Sequence, residues 1–273
     1  MILAHIHPGT AAGPGLWEIA SAVGALLAAV AYGLAAGRLW RRGDAWPWWR
    51  PVSFTAGCTW VAWAGVGPLP GGPFTAHMTG HLLLGMAAPL LLVLARPLTL
   101  ALRASPPGAA RRGLLSLAHS RPARLLAHPL LAALLDAGGL WLLYRTDVYA
   151  HTHHRPLLHA LVHAHVLAAG LLFTFAVCQV DPVRHRRPPA LRGVALLAAG
   201  VAHAVLAKTL YATPPPGTAF TTTDLHTGSQ VMYYGGDLVE AALGTVLAAS
   251  WYRAAGRART RHRRRRPEPA LGR

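Results

Sequence analysis

Seven stretches of mostly apolar residues divide this chain, near 16–39, 51–69, 75–95, 124–144, 156–179, 190–211 and 228–252, each closed off by Pro, Gly or Arg. A helix of about 20 such residues is long enough to cross the hydrocarbon core of a bilayer. The chain therefore reads as all-α, a polytopic membrane protein of seven transmembrane helices. Composition agrees: 53% of the residues are hydrophobic and 13% charged, against roughly 25% charged in a soluble domain. The second stretch is short and rich in Gly and Trp ("WVAWAGVG"), which suits close packing among other helices.

The arginines orient the helices. Arg38, Arg41, Arg42 and Arg50 follow the first stretch, Arg96, Arg103, Arg111, Arg112, Arg121 and Arg124 lie around the loop after the third, and Arg184, Arg186, Arg187 and Arg192 follow the fifth. The opposite connections hold only Arg145 and Arg155. Basic residues collect on the cytoplasmic side, so the N-terminus is expected outside and the C-terminus inside. Residues 1–15 then form an extracytoplasmic segment, 16–252 the seven-helix domain, and 253–273 a basic cytoplasmic tail too polar to fold alone. "MILAHIHPGTAAGPGLWEIA" has no basic region before its apolar run, so a cleaved secretory signal is not expected. The formal charge of +17 sits in loops and tail, where it meets anionic lipid rather than nucleic acid. Cys58 and Cys178 fall inside apolar stretches without CxxC spacing and read as packing residues. No motif for an activated nucleophile, a dinucleotide or a phosphate is present, and an enzyme is not expected.

Sorted by this topology, most of the 16 histidines fall at the outer face: His5, His7, His77, His81, His151, His153, His154, His159, His163, His165, His203 and His226. His119, His128, His185 and His262 lie on the cytoplasmic side. "HMTGH" places His77 and His81 at i and i+4, one above the other on a helix, with Met78 in the same sector. "HALVH" supplies a second pair, His159 and His163, at matching depth. Imidazoles so spaced can share an ion, and a thioether beside them favours Cu(I). The metal set is therefore His77, Met78, His81, His159 and His163, with copper as the ion; the alternative is a wet interface lined by polar tips. His165 points away from His163 by the helical period. A second constellation, Asp136, His203, Asp237 and Glu240, lies deeper on apolar stretches, where charges face the bundle interior as an ion path or as structural pairs such as Lys208 with Asp237.

The stretch "HMTGHLLLGMAAPLLLVLARP" (77–97), with Pro89 and Pro97, resembles the signature of the CtaG-type cytochrome c oxidase assembly factors of Gram-positive bacteria. The stretch from His128 to Phe173 resembles the family's fourth span, outer loop and His-rich fifth span. "TTTDLHTGSQVMYYGGDLVE" resembles its last span, with Gln230, Met232, Tyr233 and Asp237 in corresponding places; Asp224-Leu225-His226 departs from the family's Asp-Gln entrance. The resemblance implies a multi-pass protein of the bacterial plasma membrane. It would act as a chaperone in cytochrome c oxidase assembly, with oxidase subunits as partners and copper handling as its task. Two other readings stand beside it: a copper transporter using the deeper constellation, and a haem-binding cytochrome, which the one-turn spacing of both histidine pairs disfavours.

Overall fold

The computed structural model describes residues 15–181 and 186–265, with side chains described as far as Arg257. His5, His7, Arg184, His185 and the residues after Arg265 lie outside that description, as does the side chain of His262. Among the described residues the regular structure is helical: α1 (Leu16–Arg41), α2 (Trp49–Val66), α3 (Pro73–Leu82), α4 (Ala88–Leu94), α5 (Pro97–Ala104), α6 (Ala109–Ala118), α7 (Arg121–Leu126), α8 (Pro129–Arg145), α9 (Val148–Thr152), α10 (Pro156–Cys178), α11 (Pro189–Ala212) and α12 (Thr222–Arg265). Pro73, Pro97, Pro129, Pro156 and Pro189 each occupy the first turn of a helix, where the missing N–H would be unpaired anyway.

Four helical segments are long and apolar enough to cross a membrane: α1, the arm Pro73–Ala104 that contains α3 to α5, α10 and α11. Their outer faces carry rows of exposed Leu and Val, such as Leu26, Leu27, Val30 and Leu34 on α1 and Val194, Leu197 and Val201 on α11. Such a surface suits lipid contact rather than water. The remaining three expected stretches are helices as well. α8 has 17 residues, the apolar sequence of α2 is broken up by Ser53, Thr55 and Thr59, and α12 carries Asp237 and Glu240 in its apolar part.

Two boundaries differ from the sequence reading. The stretch expected at 124–144 begins only at Pro129, because the connection before it is built from the short helices α6 and α7. α12 runs unbroken to Arg265, past the point where the basic tail was expected to lose structure. Ala and Arg are strong helix formers, and basic residues at a helix C-terminus are favoured by the dipole.

The arm is not a regular helix. Leu83–Ala87 forms a π-turn between α3 and α4, with the Ala88 N–H donating to the Leu83 carbonyl. Pro89 explains it: it has no N–H for the Gly85 carbonyl four residues back, and its ring would press on that carbonyl. Gly85 then faces Gly170 of α10 backbone to backbone.

Two apolar clusters stack along the bundle. One gathers Phe74, Met78, Leu140, Leu143, Tyr144, Tyr149, Leu206, Leu210 and Met232. The other gathers Val93, Ala132, Ala133, Phe173, Ala176, Val177, Ala195, Ala199 and Leu243. Between them in sequence a polar residue sits on the arm of α3 and α4, on α8, on α11 and on α12: His81, Asp136, His203, and Asp237 with Glu240.

Both ends of the arm are held by carboxylates from distant parts of the chain. Asp224, at the start of α12, accepts the Phe74 and Thr75 N–H groups at 2.9 and 3.0 Å and the Thr75 hydroxyl at 2.6 Å. It thus caps α3. Asp181, just after α10 and buried, accepts the Thr99 N–H at 2.9 Å and the Thr99 hydroxyl at 2.5 Å in the first turn of α5. Partial burial pushes the Asp224 carboxyl up, but the Thr75 hydroxyl and the two N–H groups outweigh it and hold it below the ordinary carboxylate value. Its stabilisation is therefore complete above the unfolded pKa of about 4 and is lost as the pH falls through the lower folded value. In thermal unfolding of the detergent-solubilised protein, Asp224→Ala is expected to cost about 1 kcal/mol. Asp181→Ala should cost about 2–3 kcal/mol, since its donors are left unpaired away from water. Equal effects at the two positions would contradict this account.

Candidate functional site

At the end of the bundle where α1, α3 and α10 begin and α8 ends, a cavity of about 240 Å³ opens between these helices and α2. His77 and His81 line it from α3, and His159 and His163 from α10. The i, i+4 spacing does this on both helices, and small residues, Gly65 and Gly80 among them, leave the space open. The two sequence pairs therefore face one another across one chamber.

Each histidine has a distinct setting. His77 Nε2 is 2.9 Å from the Tyr144 hydroxyl, and its ring meets Tyr149 edge-on at 4.7 Å between centroids. His159 Nδ1 is 3.1 Å from Oε1 of Glu18, and its ring lies 4.1 Å from that of His163. His81 is buried, and neither of its ring nitrogens has a hydrogen-bond partner. Among the described residues, no three His, Cys, Asp or Glu side chains already stand close enough together to hold a metal.

Met78 does not line this chamber. It is fully buried in the apolar cluster with Phe74, Leu140 and Tyr144. His165 turns away as its helical position required: its Nε2 lies 3.2 Å from the Leu135 carbonyl, over Gly139. His151 engages the Asp147 carbonyl, and His226 stacks on Tyr211 at 3.8 Å.

The deeper constellation is also brought together. His203 Nδ1 is 3.7 Å from Oε1 of Glu240, and electrostatic interactions link Glu240 to Asp136 and Asp237. Lys208 is not ion-paired with Asp237. Its Nζ lies over the Tyr233 ring, 5.3 Å from the centroid, a cation–π contact.

Glu18 and Tyr144 are the site residues that the sequence reading missed. Glu18 is an isolated carboxylate at the start of an apolar helix, a position that calls for a partner, and that was the available signal. Tyr144 is one of several interfacial tyrosines, and nothing in its sequence context sets it apart.

Fold and chamber together define a helical membrane protein with histidines gathered from two helices at one end. The sequence pattern of the cytochrome c oxidase caa3 assembly factors matches residues 30–254. The chain belongs to that family. Two uncharacterized proteins, from Mycobacterium bovis and Mycobacterium tuberculosis, are each 33% identical over 184 residues, 63% of this chain and 28% of theirs. An uncharacterized protein of Mycobacterium leprae is 30% identical over 263 residues, 87% of this chain and 40% of its own. The chain thus spans less than half the length of these curated relatives. No solved structure matches it.

Proposed function

We propose that this protein is a seven-span, non-catalytic assembly factor of the bacterial plasma membrane that holds copper in the α3–α10 chamber and passes it to cytochrome c oxidase. The arginine distribution supports an extracytoplasmic chamber, with the basic loops and tail against anionic lipid on the other side. The observation that carries the reading is that His77, His81, His159 and His163 share one chamber.

An ion in transit needs donors that can be recruited and released. Neutral imidazole is such a donor, and the present partner of His77 Nε2, a tyrosine hydroxyl, is exchangeable. Glu18 does more than occupy His159. By accepting at Nδ1 it leaves Nε2 free for metal and makes the ring a better ligand. Met78 would need to leave its apolar cluster to contribute, so the histidines are the working set and the thioether an auxiliary.

A copper transporter is the second reading, favoured by the polar residues Asp136, His203, Asp237 and Glu240 between the two apolar clusters. It predicts copper flux into sealed vesicles, which an assembly factor alone does not produce.

The test is copper analysis of protein purified from copper-supplied cells, with oxidase copper content measured in the same strains. The wild-type chain is expected to carry copper, and His77→Ala plus His81→Ala to lose it and to leave the oxidase copper-deficient. Copper-free wild-type protein, with the double variant still supporting a copper-replete oxidase, would overturn the proposal.

A further inference from the structure

His81 lines the chamber and interacts electrostatically with both His163 and His203. Only 7% of His81 and 5% of His203 is exposed. Their ring centroids are 6.3 Å apart with the planes inclined by 30°. Three nitrogens here have no partner: both of His81 and Nε2 of His203. Buried imidazole nitrogens are costly to leave unpaired, so unpaired donors on two adjacent rings mark a place built for something else to bind.

The surroundings fix the rings. A Cβ at Gly236 of α12 would run into the His203 ring, and one at Gly200 of α11 into the Glu240 carboxylate. A Cβ at Gly85 in the π-turn would come within 3.3 Å of His81 Cε1. Glycine at these positions lets three helices close around the two imidazoles. Behind His203, Glu240 stands 3.7 Å from Nδ1, so that Nε2 is the nitrogen left toward a ligand. A carboxylate behind a histidine is the usual support for a metal-binding imidazole.

We propose that His81 and His203 form an inner station for Cu(I), the ion held linearly between the two imidazoles and reached from the outer chamber through His81. This deepens the copper reading above and rests on it. Two metal–imidazole bonds of about 2 Å each, placed end to end, span ring centres about 6 Å apart, which matches the observed separation. Two neutral nitrogen donors suit Cu(I); Zn(II) takes four ligands and Cu(II) a tetragonal set. The single charge of Cu(I) at this depth is balanced by the Glu240 carboxylate, as a buried cation requires. The ion moves between stations without a change of oxidation state.

The whole chain in detergent, loaded with Cu(I) under reducing conditions, provides the test through copper stoichiometry and X-ray absorption. Wild type is expected to bind two Cu(I), one between His81 and His203 and one on His77, His159 and His163. His77→Ala plus His159→Ala should keep one, with a two-coordinate nitrogen spectrum. His203→Leu should lose that one and keep the outer ion, and His203→Met, similar in volume but a soft donor, should restore the second ion. Thermal unfolding of the metal-free variants checks that His203→Leu and His203→Met are equally folded. Unchanged stoichiometry and spectrum in His203→Leu would overturn the inner station and leave the outer chamber standing. Copper in none of the proteins would overturn both.

Discussion

Gly170→Leu is expected to deplete folded protein from the membrane. A Cβ at Gly170 would coincide with the Gly85 carbonyl and approach Cγ of Pro89 to 3.1 Å. Both obstacles are hard: one is backbone, the other a proline ring held within a helix. The substituent cannot be absorbed by a rotamer change, so α10 must move off the π-turn. Overpacking of an ordinary core position costs about 1–3 kcal/mol. Here the displaced helix also carries His159 and His163, so the chamber opens as the bundle loosens. Gly170→Ala should already lower the midpoint of thermal unfolding in detergent, and Gly170→Leu should leave little protein to purify. Normal yield and stability for the leucine variant would show that the Gly85–Gly170 contact is not a real constraint.

His81→Leu should separate stability from copper binding. His81 lines the outer chamber and belongs to the inner pair; a neutral imidazole serves one ion at a time, so its loss removes the inner station and the donor through which an ion passes from the outer one. Removing even a group that only supports a ligand costs 10–100-fold in metal affinity, and loss of a shared ligand should weaken Cu(I) binding by at least about 100-fold. The metal-free protein should not suffer in parallel. Both His81 nitrogens are unpartnered and buried, and exchanging an unsatisfied polar group for an apolar one of similar size is neutral or stabilising. The comparison is between copper competition assays with a coloured chelator and thermal unfolding of the metal-free protein. A variant that binds copper as wild type does, or that loses stability along with copper, would assign His81 to packing.

Much of this was legible in the sequence because membrane helices advertise themselves locally. The apolar runs, the closing prolines and the i, i+4 histidine pairs each lie within one segment, and helical periodicity alone predicts that His77 and His81 share a face while His165 departs from His163. Family membership followed from the stretch 77–97, which the match over residues 30–254 supports. What was not legible depends on neighbours remote in the chain. Glu18 becomes part of the site only because α1 packs where α10 begins. Met78 looked like a ligand from its spacing, but its flank of α3 faces Leu140 and Leu143 of α8 and Met232 of α12. The helices α5 to α7 lie in a stretch whose Arg, Pro and Gly content reads as loop. Asp224 looked like an imperfect version of a family motif, while its partners, Phe74 and Thr75, are 150 and 149 positions away.

Those distant caps also set an order of events during synthesis. The α3 segment, with the first histidine pair, enters the membrane long before Asp224 has been made, and until then its first N–H groups have no carboxylate to meet. Glu18 and His77 are translated early, His159 and His163 later, and the residue that locks the mouth of α3 comes with the last helix. The lining of the chamber is thus complete in the chain by Val166, while the cap of α3 waits for the final helix. A ribosome-bound chain lacking α12 would already hold all four chamber histidines, with the first turn of α3 still waiting for its carboxylate.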